Sequence, residues 1–494
     1  MPDDSQSSYK QILNATSIFG GVQIINIIIS IVRSKFVAVL LGPFGIGISG
    51  MLTATIGIIA GLTNFGLGTS AVRDISAAYE SGNTQRIAIV ANVLNRWVWI
   101  TGLLGMILTL LLSPWLSYLS FGNYDYTIAF LVLSITLLIN QLNSGQLVVL
   151  QGGRKISLLA KANLAGSVIG LFTTIPLYYV WGIDGIVPAL VIAAIVSLLI
   201  SYYFRKKIVI EKIRVSKVRS IAEGKQMLKM GFLISMSGFM TLGFSYLVRL
   251  FISHEGSISE VGLYNAGFTI ISTYVGLIFT AMGTDYYPRL SAVADDVKKA
   301  NETINSQIEI ALTILGPIIV VFILFIQWII QMLYSNQFCT VNTMLVWAAL
   351  GMLFKAVSWS IAFFFLANGS SKLFFWNEII TNIYLTVLNI IGYYYWELTG
   401  LGYAFILSYF IYMVQVYVIT NRHFDFKLGK NAILILMTQL VFASISILIL
   451  FYLKGSIFYT ASIVLIILNL LYSYYLLNKR IDMKNIVNKL ANKQ

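Results

Sequence analysis

Runs of about twenty apolar residues, separated by short polar stretches, recur along nearly the whole of this 494-residue chain. A helix needs about that length to cross roughly 30 Å of hydrocarbon at 1.5 Å per residue. Read at that window, the sequence predicts fourteen transmembrane helices, the first six at 13–37, 44–70, 87–112, 126–150, 158–180 and 184–204. After a polar stretch come 228–251, 261–287, 306–333, 341–367, 373–396, 400–420, 431–453 and 456–478. Proline falls at span ends or at candidate kinks such as Pro188 and Pro317.

Charge tests this count, because Lys and Arg flanking membrane spans concentrate in alternate, cytoplasmic loops. With these fourteen spans, 28 of the 33 cations fall in the even-numbered loops and the two tails, and one, Lys454, falls in an odd-numbered loop. One span more or less would scramble that alternation, so both termini are expected in the cytoplasm. The start, MPDDSQSSYK, lacks the basic end of a signal peptide and is expected to stay as a cytoplasmic tail. The formal net charge of +14 then reports orientation, where in a water-soluble chain it would suggest nucleic acid. Only 11% of residues are charged, against roughly a quarter in soluble domains, which excludes an ordinary water-soluble enzyme.

The odd-numbered loops are short, leaving no room for an outer catalytic domain, so the expected activity is transport within the bilayer. Cys339 is the single cysteine, and His254 and His423 are the two histidines, far apart in sequence. Neither a disulfide framework nor a metal centre is expected, and no cofactor. The longest loop, KKIVIEKIRVSKVRS, alternates basic and apolar residues and reads as an amphipathic linker on anionic headgroups.

An offset of 217 residues pairs Gly45 with Gly262, Gly152 with Gly369, Lys155 with Lys372 and Gly185 with Gly402. One residue less pairs Arg33 with Arg249 and Arg73 with Arg289. This predicts two pseudo-twofold-related six-helix lobes and an appended helix pair. The corresponding domains are 1–222 (first lobe with the basic linker), 223–422 (second lobe) and 423–494 (helices 13 and 14 with a basic tail).

Charges inside spans are costly, at least about 2.5–3.5 kcal/mol each, and normally face a water-filled cavity or a partner. Arg33 and Lys35 in helix 1, Arg249 at the outer end of helix 7 and Lys355 in the middle of helix 10 are therefore the candidate substrate-binding cations. Arg33 and Lys35 point about 200° apart, so one faces the centre and the other snorkels outward. Asp285 and Glu378 are candidates for coupling transport to a proton or sodium gradient, and Asp285 also reads as a helix-end charge near Arg289. Excess cation in a cleft favours an anionic substrate, as when Arg binds phosphate.

The segments SKFVAVLLGPFGIG, NFGLGTSAVRDISAA, LQGGRKISLLAKANLAGSVIGL and GIDGIVPAL, and later AMGTDYYPRLSA and LANGSSKLFF with TGLGYAF, carry a family resemblance. In order and span placement they resemble the Wzx-type polysaccharide flippases of the multidrug/oligosaccharidyl-lipid/polysaccharide superfamily. That resemblance implies two lobes in a V around a central cavity and alternating access. It implies movement of an undecaprenyl-diphosphate-linked oligosaccharide from the cytoplasmic to the periplasmic leaflet of the bacterial inner membrane, for surface polysaccharide such as O-antigen. Partners would be that lipid-linked glycan, membrane lipids and, as a candidate, a polysaccharide polymerase, with no nucleic acid. The cavity cations would correspond to Arg33 or Lys35, Arg249 and Lys355. Fourteen spans, where many Wzx proteins have twelve, leave a lipid II-type flippase open as the alternative, with a multidrug or cation antiporter of the same superfamily.

Overall fold

The computed structural model describes residues 3–480 apart from 212 and 214; the tail expected at 481–494 and linker residues Lys212 and Arg214 lie outside the described residues. Among the described residues there is no strand. Ten helical segments there are long and apolar enough to cross a membrane.

Several segments join two predicted spans, and local backbone chemistry explains where each divides. Helix α1 (Asp3–Thr63) breaks at Gly42, whose φ of 65° is strained for any residue with a Cβ, and Pro43 then removes a hydrogen-bond donor. Helices α5 (Ile156–Trp181) and α6 (Ile186–Lys206) are separated by the single 3₁₀ turn Gly182–Gly185. Pro188 sits in the first turn of α6, where its missing N–H leaves no intrahelical bond unmade. Helix α13 (Ser371–Phe424) breaks at Trp396 and Glu397. The kink expected at Pro317 is displaced: α10 (Val297–Leu324) runs through it and stops at Phe325, after which α11 (Ile326–Leu333) begins.

By packing, the chain divides into two compact units. Among the described residues, unit 1 holds those up to 262 together with 333–335, and unit 2 holds 263–332 and those from 336 onward. In unit 1, α3 (Thr84–Phe121) packs on α4 (Thr127–Gly152), α4 on α6, and α1 on α5. Leu52, Phe130, Leu133 and Ile186 form its buried apolar centre. The close approach of α1 to α8 (Ile258–Thr269) requires glycine, since a Cβ on Gly47 would lie 1.9 Å from the Ile258 carbonyl oxygen.

The seventh span, which the repeat assigns to the second lobe, packs here with the first. Helix α7 (Lys217–Glu255) lies against α1, α2 (Leu67–Glu80) and α3. Toward its C-terminal end the Tyr246 hydroxyl accepts from Thr55 (3.1 Å) and shares a 2.9 Å hydrogen bond with Ser120, which itself lies 2.9 Å from Thr55. Near its N-terminal end Glu223 accepts from Arg86 (2.7 Å) and Arg219 (3.1 Å). Partial burial pushes the Glu223 carboxyl up, but those two guanidinium groups outweigh it and hold the group below the usual carboxylate range.

The linker preceding α7 is held by protein. Asn92 donates to the Ile213 carbonyl (3.2 Å), Arg96 to that of Val215 (3.4 Å) and the Trp97 indole to that of Ser220 (3.0 Å). Ile208 packs with Leu150 and Leu159. The apolar positions that suggested a membrane-lying amphipath thus find helix ends, while Val209 stays exposed.

In unit 2, α10 is central, against α12 (Asn342–Ala367), α14 (Lys430–Tyr452) and α15 (Gly455–Arg480). The helix pair expected as a separate appendage, α14 and α15, therefore packs as part of this unit. It is fastened by a closed set of buried amides and a hydroxyl: Asn469 donates to Gln439 (2.9 Å), Gln439 to Ser473 (3.4 Å) and Ser473 to Asn469 (3.5 Å).

Candidate functional site

Unit 1 contains three of the sequence-predicted residues. Arg33 is exposed on α1, and Tyr178, a buried residue in the last turn of α5, lies within its electrostatic reach. Lys35 is half-exposed. Arg249, on α7, is half-buried and bonds one turn back along its own helix, to the Ser245 carbonyl (3.0 Å) and hydroxyl. The repeat-related pair Arg33 and Arg249 thus belongs to one unit rather than to one in each.

Unit 2 contains the other three and brings two of them together. Lys355 lies mid-way along α12, its ammonium 5.1 Å from the Tyr409 ring centre and 6.0 Å from those of Phe279 and Phe405. Such distances are those of cation–π contacts. Among the described residues Lys355 forms no ion pair. Its ammonium is positioned by ring faces but not neutralised.

The Tyr409 ring stands 6.4 Å from that of Tyr412, edge to face, and the Tyr412 hydroxyl donates to Glu378 at 3.3 Å. Asn377, one residue before Glu378, donates to Tyr412 (3.2 Å) and accepts from Gln415 (2.8 Å). Lys355 and Glu378 are thereby ends of one aromatic and polar chain that crosses from α12 to both halves of α13. Residues of an i, i+3, i+6 series, Tyr409, Tyr412 and Gln415, build its middle.

Asp285 lies apart from this chain. Its side chain is 81% exposed on α9 (Leu277–Ser291), 3.8 Å from Arg289 one turn on, and Arg289 also donates to Gln307 (3.1 Å).

Sequence reasoning passed over Glu309, which is 4% exposed in α10 and lies inside the span read at 306–333. The signal was available, a lone carboxylate one turn inside a span boundary. Asn377, Tyr412 and Gln415 carried no comparable signal, since amides and tyrosines are common throughout these helices.

Solved structures with this architecture define the class. The lipid II flippase MurJ in its inward closed conformation superposes with a TM-score of 0.69 over 94% of this chain and 99% of that one, at 16% identity. An inward-facing multidrug resistance MATE family transporter of the MOP superfamily superposes with a TM-score of 0.62 over 81% of this chain and 98% of the other, at 15% identity. At these identities the likeness concerns the fold alone, an all-helical one.

Sequence relatives narrow the class. A protein of Shigella flexneri assigned as an O-antigen transporter is 24% identical over 342 residues, 67% of this chain and 79% of that protein. The lipid III flippase of Escherichia coli (strain K12) is 22% identical over 355 residues, 70% of this chain and 82% of that one. The polysaccharide biosynthesis protein family model matches residues 36–343, and the chain belongs to that family. It is a multi-pass membrane transporter of the Wzx type, not an enzyme.

Proposed function

We propose that this protein flips an undecaprenyl-diphosphate-linked oligosaccharide repeat unit from the cytoplasmic to the periplasmic leaflet of the bacterial inner membrane. The observation that carries the reading is Lys355, a cation in the middle of an apolar helix, held by three ring faces and paired with no carboxylate among the described residues. Holding it there costs free energy that an anion would recover. In this reading fourteen spans, with both tails in the cytoplasm, form two lobes that open alternately to either side. The diphosphate pairs with Lys355 and with Arg33 or Lys35 and Arg249, the glycan occupies the cavity and the polyprenyl chain stays in lipid.

Glu378, at the far end of the chain from Lys355, is the better placed of the two acids to couple a proton or sodium ion, because its hydrogen bond from Tyr412 ties its charge to the same cluster. The test is the exposure of a polyprenyl-diphosphate-linked glycan on the outer leaflet of proteoliposomes. Arg33→Ala, Arg249→Ala and Lys355→Ala combined are expected to abolish it, and unchanged exposure would refute the site. Export of cationic dyes at the expense of glycan would instead identify an antiporter.

A further inference from the structure

Unit 1 holds two adjoining cavities, on the side expected to be cytoplasmic, that are lined by none of Arg33, Lys35, Arg249 and Lys355. The first, about 550 Å³, lies between α3, α4, α6 and the linker, and its polar lining includes Asn92, Asn95, Gln146, Arg205 and Glu211. The second, about 620 Å³, shares Asn92, Asn95 and Ile213 with the first but is walled by Arg96, Trp99, Ile100 and Leu103. One is a polar chamber, and its neighbour is polar at one end and apolar at the other.

The linker fixes their depth. Its backbone accepts hydrogen bonds from Asn92 and Arg96, and the first turn of α7 accepts one from Trp97, so this stretch of α3 lies level with a polar loop rather than with hydrocarbon. The exposed apolar face of α3 begins immediately beyond, at Trp99, and continues through Ile100, Leu103, Leu104 and Ile107. Moving along α3 from the first cavity, the lining changes from arginine and amide to indole and then to aliphatic side chains. That order matches an amphiphile lying with its head under the linker and its tail along the helix.

We propose that the two cavities together bind one anionic glycerophospholipid of the cytoplasmic leaflet. Arg205 takes the phosphate, and Arg96 the phosphate and ester oxygens on the near side. The amides of Asn95 and Gln146, with the Glu211 carboxylate, take head-group hydroxyls. The tail follows Trp99, Ile100 and Leu103. Two guanidinium groups against one carboxylate favour a net negative head, and inorganic phosphate alone would leave the apolar walls of the second cavity uncovered. A bound lipid would pin the linker, and with it the cytoplasmic end of α7, to α3.

The experiment uses the purified full-length protein in detergent, offered phosphatidylglycerol, phosphatidylethanolamine or phosphatidylcholine, with retained lipids counted by native mass spectrometry. Phosphatidylglycerol is expected to be retained in preference to the other two and to resist millimolar inorganic phosphate. An arginine near an anionic head contributes about fivefold, so Arg96→Gln should lower retention about fivefold and Arg96→Gln with Arg205→Gln about 25-fold. Lys217→Gln, which removes a linker-end cation lining neither cavity, should leave retention unchanged. Because Arg96 is exposed, its single variant keeps the test valid if the double variant is unstable. Equal retention of the three lipids, displacement by phosphate, or equal loss in Lys217→Gln would each overturn the proposal.

Discussion

Replacing Lys355 by methionine separates a functional cation from a structural one, because the two roles predict opposite changes in stability. Methionine keeps the length and apolar stem of lysine and removes only the charge. An interior charge in a membrane helix costs about 2.5–3.5 kcal/mol, and cation–π contacts such as those with Tyr409, Phe279 and Phe405 return about 0.5–2 kcal/mol. Lys355→Met should therefore stabilise the protein, by a net amount between about 0.5 and 3 kcal/mol. If the ammonium pairs with a diphosphate, losing that charged contact of about 1.5–3 kcal/mol should slow flipping roughly 10- to 150-fold. Lys355→Arg, which keeps the charge, should retain most activity. The assays are a detergent thermal melt and glycan exposure in proteoliposomes. A variant that melts earlier and loses activity in proportion would show that Lys355 holds α12 to α13, and wild-type flipping by Lys355→Met would refute the site.

Glu378→Gln should abolish the dependence of flipping on an ion gradient, and Tyr412→Phe should weaken it, whereas Asp285→Asn should leave it intact and shift stability by no more than about 0.5 kcal/mol, the scale of an exposed i, i+4 pair. Gradient-dependence profiles in proteoliposomes check both, and loss of coupling in Asp285→Asn alone would reverse the assignment. Glu223 titrates lower in the folded protein than in the unfolded chain, so its contribution is present above about pH 4.3 and is lost as pH falls through the depressed folded value. Wild type should thus lose stability in that acid window, and Glu223→Gln should show a flatter melting profile there. Gly47→Ala, which would bring a Cβ to 1.9 Å from the Ile258 oxygen, should cost at least about 1–3 kcal/mol; Gly57→Ala, which meets nothing within 4 Å, should gain about 0.5–1 kcal/mol from helix propensity. Equal melting temperatures for the two alanine variants would contradict the packing.

Apolar run length made the helices legible, and the Gly42–Pro43 pair marked the division of α1 in advance, since both act through a few neighbouring residues. Lys355 and Glu378 were legible because a charge inside an apolar span stands out against composition alone. Their connection was not. It depends on Tyr409 and Tyr412 facing back from the second half of α13, and helix pairing brings together positions some thirty residues apart with no periodic mark. The repeat likewise identified α7 by its order in the chain, yet side chains decide where it packs. Tyr246 with Thr55 and Ser120, and Glu223 with Arg86, tie it to α1 and α3 of unit 1.

Buried polar groups in this protein sort by whether their hydrogen bonds close on themselves. Thr55, Ser120 and Tyr246 form a cluster of three hydroxyls that also reaches the Met51 carbonyl, and Gln439, Asn469 and Ser473 form a closed ring. In both, neutral donors and acceptors are met locally with no charged group at either end, which suits a fastener between helices, worth about 0.6 kcal/mol per bond in a membrane. The series in α13 is different. Gln415 donates to Asn377, Asn377 to Tyr412 and Tyr412 to Glu378, so every link points one way and the row ends on a carboxylate. At its other side the Tyr409 ring meets an ammonium that has ring faces for neighbours and no ion-pair partner among the described residues. A row with an acid at one end and a cation at the other can change state when either binds a counter-charge, and a closed ring cannot. That asymmetry, more than burial or charge by itself, is what the proposed meeting of substrate binding and ion coupling at Lys355 and Glu378 rests on.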